Sequence, residues 1–165
     1  MFGITPFGLV HTAISLVSLF SGLYLLARYR EIAWGQRTGQ IYVLFTIATC
    51  VTGLFIFRHG TFGPPHALSI LTLVMLLVAW YAEQRAQPGS LWRCIAVASY
   101  TVPVFFHFIP AFTETATRIP EGAPLATGPE DPGLQAAIGV VFLIFLAFGA
   151  WQVVRIRREP RLATA

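Results

Sequence analysis

Four histidines, His11, His59, His66 and His107, are the residues of this chain best suited to ligation, and each lies in or at the end of an apolar run. Neutral imidazole ligates haem iron, zinc and copper. A haem needs two imidazoles on opposite faces of a flat slot, whereas zinc needs three or four converging donors. His11 and His66 are the candidate pair for a b-type haem, with the small residues after His11 and the rings of Phe105 and Phe106 lining the slot. Alternatively His11, His66 and His107, completed by His59 or Glu114, form a zinc or copper site. The chain contains no HExxH, CxxCH, GxSxG or glycine-rich phosphate loop, which counts against hydrolase and nucleotide chemistry. Cys50 and Cys94 sit inside apolar runs without CxxC spacing and signal neither a disulfide framework nor a thiolate metal site.

The elements that must hold these histidines are hydrophobic helices. At 165 residues, 56% apolar and 11% charged, with mean hydropathy +0.69, the composition is that of a single-domain polytopic membrane protein. Five apolar runs predict transmembrane helices at about 6–28, 40–58, 65–82, 91–109 and 133–154, a four-helix core plus a fifth helix after a long loop at 111–132. Thr5-Pro6 and Asp131-Pro132 read as an N-cap followed by a first helical proline. The shortest connection, RHGTFGPPH, carries His59 and His66 to one membrane face, its glycines allowing the reversal and Pro64-Pro65 starting the next helix. Pro103 predicts a kink in the fourth helix and Pro110 its end.

All eleven basic residues are arginine. Nine of them, Arg28, Arg30, Arg37, Arg85, Arg93, Arg155, Arg157, Arg158 and Arg161, fall at one end of this five-span arrangement, and only Arg58 and Arg118 at the other. The positive-inside rule then sets the N-terminus outside, the C-terminus in the cytoplasm and the acidic 111–132 loop outside. All four histidines thereby belong to the outer half. The basic balance reads as membrane orientation, so the expected partners are the lipid bilayer and a membrane protein or second copy, with no nucleic acid. Ser15, Ser18 and Gly22 follow His11 at helical spacing, and Thr46, Cys50 and Gly53 form a similar stripe on the second helix. Both stripes predict close packing of the first two helices.

HTAISLVSLFSGLYLLAR, WGQRTGQIYVLFTIATCVTGLFI and FGPPHALSILTL resemble the domain of unknown function 2306 family of small bacterial membrane proteins over roughly residues 8 to 80. The resemblance is carried by His11, by Gly39-x-x-Tyr42 opening the second helix and by Phe62-Gly63-Pro64-x-His66. The family tends to carry a histidine where this chain has Gln36, and another at the inner start of the fourth helix, so the resemblance implies that only an outer pair, His11 with His66, is retained. It implies a fold, a site and a bacterial inner-membrane location, but no activity. Two functions are expected to compete. One is a haem- or metal-binding membrane protein for electron transfer or metal handling, an oxidoreductase if it is an enzyme. The other is a non-catalytic subunit whose histidines are structural. The first requires the outer ends of the first and third helices to be adjacent.

Overall fold

The computed structural model describes residues 5–56, 62–119 and 121–162, with the side chains of all of these except 159–162. Arg58 and His59 therefore lie outside the described residues. The fold is all-α, with α1 (Pro6–Tyr29), α2 (Arg37–Leu54), α3 (Pro64–Glu83), α4 (Leu91–Arg118) and α5 (Pro132–Leu162). α1 packs on α2, α2 on α3, α3 on α4, and α4 returns to α1, closing a four-helix ring; α5 packs chiefly against α4 on the outside. α1 and α3 thus stand across the ring from one another instead of packing side by side.

Local chemistry sets the helix ends. Thr5 Oγ1 accepts the Gly8 N–H at 3.0 Å and Pro6 supplies the fixed backbone angle of the first turn. Ser90 Oγ does the same for Arg93 N–H at 3.2 Å, opening α4. The predicted stop at Pro110 does not occur: α4 continues to Arg118, so the first part of the expected outer loop is helical. A proline removes one N–H, and the helix survives where neighbouring carbonyls find other donors. The one bond lost at Pro110 is that to the Phe106 carbonyl, and the turns beyond it are reinforced: Thr113 Oγ1 donates to Ile109 O at 2.8 Å, Thr117 Oγ1 donates to Thr113 O at 2.6 Å, and Glu114 pairs with Arg118 one turn on. α5 also continues past the predicted end at 154, carrying Arg155, Arg157 and Arg158 on helix.

The stripes of small residues are consumed by packing. Ser18 Oγ lies 2.5 Å from Thr46 Oγ1, and a Cβ on Gly22 would sit 2.9 Å from the Tyr42 ring and 3.0 Å from Val104. Tyr42, Leu25, Ala79 and Val104 are fully buried in the resulting core. α5 is held by aromatic contacts, Phe105 against Phe142 and Phe145 with centroids at 5.5 and 6.0 Å, and by Gln152, which donates to Arg30 O at 2.7 Å and accepts from Thr101 Oγ1 at 3.2 Å. Four helices, α1, α3, α4 and α5, are long and apolar enough to cross a membrane. Large apolar side chains face outward on them, Phe20, Leu77 and Leu143 each more than 60% exposed, as a lipid-facing surface requires.

Asp131 opens α5 outside the apolar segment. Its carboxylate accepts the N–H groups of Thr127, Leu134 and Gly133 at 3.3, 3.3 and 2.9 Å, and these bonds hold its pKa below the ordinary 3.8. Because the folded-state pKa is depressed, the cap contributes fully above the unfolded value and is lost only as pH falls through the lower folded one. Amide exchange at Gly133 and Leu134 is therefore expected to stay protected at pH 5, and to rise relative to the intrinsic rate only below the usual carboxylate range. Asp131→Ala should show the raised exchange at every pH.

Candidate functional site

The three described histidines are held in different ways. His11, one and a half turns into α1, is half-buried, with Nδ1 2.8 Å from Thr52 Oγ1 on α2. The Thr52 hydroxyl proton is already directed at Ala48 O, 2.7 Å away, so its oxygen is the acceptor and His11 Nδ1 carries the hydrogen. The lone pair of a neutral ring is then on Nε2. His107, on the inward face of α4, is only 8% exposed, and its Nδ1 lies 2.7 Å from Pro103 O. A carbonyl can only accept, so this ring too is protonated at Nδ1. Its Nε2 is buried and has no hydrogen-bond partner among the described residues.

His66 runs the other way. Its Nδ1 accepts the Gly63 N–H at 3.1 Å, so in a neutral ring the proton is on Nε2. The geometry is that of a capping box: a side chain at the third helical position reaches back to the N-cap amide, while His66 N–H donates to Gly63 O at 3.0 Å. Phe62 stacks on the ring at 5.2 Å between centroids. His66 is buried as the lock of the α3 start.

His11 and His107 are on helices that touch, and their charges are within electrostatic reach of one another; Glu114 is within reach of His11. α3 approaches His11 through Gly53: a Cβ placed there would lie 3.4 Å from His11 Cε1 and 3.1 Å from Ser69 Oγ, one turn below His66. Among the described residues, no three or more histidine, cysteine, aspartate or glutamate side chains converge closely enough to hold a metal ion. The expected haem lining is engaged elsewhere. Tyr42 and Val104 fill the face of α1 at Gly22, and Phe105 turns toward α5. Each of the His11 and His107 rings is oriented by a bond from its Nδ1.

A second polar centre, absent from the sequence expectations, lies at the opposite end of the ring. Glu83 Oε2 accepts from Tyr100 Oη at 2.8 Å and from Trp34 N–H at 3.2 Å, and Arg93 pairs with Glu31 at 3.1 Å. Glu31, Glu83, Arg93 and Tyr100 border a cavity of about 40 Å³. The sequence signal was a lone carboxylate closing an apolar run, which reads as an ordinary interfacial charge. No family model matches the chain, and neither a curated protein nor a solved structure matches it.

Proposed function

We propose that this chain is a five-span protein of the bacterial cytoplasmic membrane, N-terminus outside and C-terminus inside, that binds a transition-metal ion at the buried imidazole of His107 for metal handling or electron transfer. The buried, unpartnered Nε2 of His107 carries this reading, because a polar atom left so in an apolar core costs about 1–3 kcal/mol unless a ligand takes it. The Pro103 carbonyl fixes the tautomer that presents this Nε2, and burial keeps water from it. Bound copper would supply a one-electron couple and bound zinc a Lewis acid. Kinship with the domain of unknown function 2306 family belongs to the same proposal. Its shared elements have jobs here beyond ligation, Gly39 and Tyr42 at the entry to α2 and His66 at the start of α3.

The orientation rests on the arginine asymmetry. α2 is the shortest of the five helices, but 18 residues at 1.5 Å each give about 27 Å, close to one hydrocarbon thickness, and the ring buries its Thr46. Cysteines placed at the exposed positions Ala123 and Arg158 should separate in intact cells: the first labelled by a membrane-impermeant thiol reagent, the second only after permeabilisation. Cys50 and Cys94 are buried and give little background. The reverse pattern overturns the orientation.

Metal content tests the site. Purified chain equilibrated with zinc or copper is expected to hold one ion, and His107→Ala to lower affinity by about 100-fold or more, since ligand loss exceeds the 10–100-fold typical of outer-shell changes. Full metal content in the His107 variant overturns the proposal. The capping bond of His66 and the Thr52 bond of His11 favour a second reading, a non-catalytic membrane subunit with structural histidines, which predicts metal-free protein in the same measurement.

A further inference from the structure

We infer that the arginine-rich end of the bundle carries a headgroup site for an anionic phospholipid, built by Arg30 and Arg155 around the indole of Trp151. This goes beyond metal binding at His107 and rests only on the membrane placement of the chain proposed above.

The backbone at Arg30 is the first observation. Arg30 ends α1 with φ 65° and ψ 9°, and it is the one non-glycine residue with positive φ among the described residues. Helix ends of this form ordinarily take glycine, because a Cβ there crowds the neighbouring carbonyl. The conformation is held all the same. Arg30 N–H donates to Leu25 O and Leu26 O, each at 3.1 Å, and its carbonyl accepts from Gln152 Nε2 at 2.7 Å, Gln152 being 2% exposed. None of these bonds uses the side chain, so they are as open to glycine as to arginine. Strain of this kind points to a task for the side chain, and the guanidinium carbon of Arg30 lies 5.4 Å from the Trp151 ring centroid.

The second cation comes from α5. Arg155, one turn after Trp151, places its guanidinium carbon 5.9 Å from the same centroid. A guanidinium drawn to an aromatic ring keeps its five N–H donors in the fork geometry that phosphate oxygens match. Neither guanidinium has a hydrogen bond or ion pair to a described residue. Two positive charges gathered on one indole favour an anion as the third partner.

The position selects a lipid over a soluble anion. α1 and α5 each pack on α4 but scarcely on one another, so the surface between them faces outward, with Arg30 and Trp151 at its end. Trp151 and Val154 are 39% and 46% exposed there. A phosphate at the arginines leaves its acyl chains along the apolar outer surface of α5, with the tryptophan at headgroup level.

The test titrates the full chain in mild detergent with phosphatidylglycerol, and with phosphatidylcholine of the same acyl chains, and counts retained lipid by native mass spectrometry. Phosphatidylglycerol is expected to bind more tightly by roughly 30-fold, the factor that two arginines beside an anionic headgroup supply. Arg30→Gly and Arg155→Gln should each cut that preference about fivefold, whereas Arg158→Gln, exposed further along α5, should leave it unchanged. Arg30→Gly also separates ligand binding from scaffold: it removes the backbone strain and keeps the Gln152 bond, so the melting temperature should hold or rise. A lowered melting temperature with unchanged lipid preference makes Arg30 a clamp on Trp151 and overturns the inference. Equal affinity of the wild-type chain for both lipids overturns it, as does an equal loss in Arg158→Gln. Displacement of the lipid by millimolar inorganic phosphate assigns the arginines to a soluble anion and overturns it too. Flotation with vesicles of either lipid checks the membrane placement by itself: a chain that stays with the vesicles but shows no preference refutes the headgroup site alone, and one that does not float refutes both.

Discussion

Gly39→Ala is expected to be among the most damaging single-methyl additions in the chain, lowering stability by about 3 kcal/mol, the upper range for overpacking a well-filled site. A Cβ at Gly39 would land on the backbone carbonyl oxygen of Ala33, with the Ala33 carbonyl carbon 3.0 Å away. Flexible side chains can yield to such a contact, but a carbonyl moves only with its chain. The chain here is pinned on both sides: Ile32 is 1% exposed in the core, and Trp34 N–H is donated to Glu83. The alternative, shifting the first turn of α2, would drag Tyr42, which is fully buried and donates to Tyr100 O at 3.0 Å. Gly35→Ala is the matched control. Nothing lies within 4 Å of its added Cβ, so a change within about 0.5 kcal/mol is expected. Equilibrium unfolding of both variants in mixed micelles decides the point, and equal stabilities would show that the α1–α2 turn gives way freely.

The same glycine shows what the sequence could and could not tell. Its place in the Gly39-x-x-Tyr42 element was visible, but the reason, a carbonyl from the preceding loop, is a long-range fact with no local signature. Apolar runs and caps were legible because hydropathy and Thr5-Pro6, Ser90 and Asp131-Pro132 act within one turn. The helical continuation past Pro110 was not, since threonines that bond back to carbonyls and a Glu114–Arg118 pair look in sequence like a polar loop. Of the site, the suitability of His11 and His107 could be read from their burial in apolar runs. The capping bond of His66 was not legible, because the side chain at that position of a capping box is ordinarily Glu or Gln. Nor could helix order alone say that α1 faces α3 across the ring and touches α4 instead, because that choice is made by the small faces at Ser18, Gly22 and Thr46.

Removing the carboxylate of Glu83 is expected to have an effect of similar size at the opposite end of the ring from His11. One oxygen of Glu83 takes the Tyr100 hydroxyl and the Trp34 N–H, joining the end of α3 to the middle of α4 and to the α1–α2 turn. Tyr100 is 1% exposed, and its own carbonyl receives Tyr42 Oη from α2, so the carboxylate ties together all four helices of the ring. Glu83→Ala leaves two donors without an acceptor, each worth about 1–3 kcal/mol when buried. The adjoining cavity, about 40 Å³, moderates this: at roughly 10–15 Å³ of probe volume per water it has room for a few, which can reach the Tyr100 hydroxyl. The expected loss is thus about 2–3 kcal/mol, toward the low end of the summed range. Glu83→Gln keeps an oxygen in place for both donors and forfeits only the charge assistance, so about 1 kcal/mol is expected. Tyr100→Phe removes one donor and leaves the carboxylate its Trp34 bond and the cavity, again about 1 kcal/mol. Because Glu83→Ala orphans the very hydroxyl that Tyr100→Phe deletes, the double variant should be more stable than the sum of the two single losses predicts, by at least about 0.5 kcal/mol. Additive losses would mean that the hydroxyl finds another acceptor once the carboxylate is gone. Equal losses in Glu83→Ala and Glu83→Gln would assign the stability to the charge beside Arg93 instead of to the two hydrogen bonds.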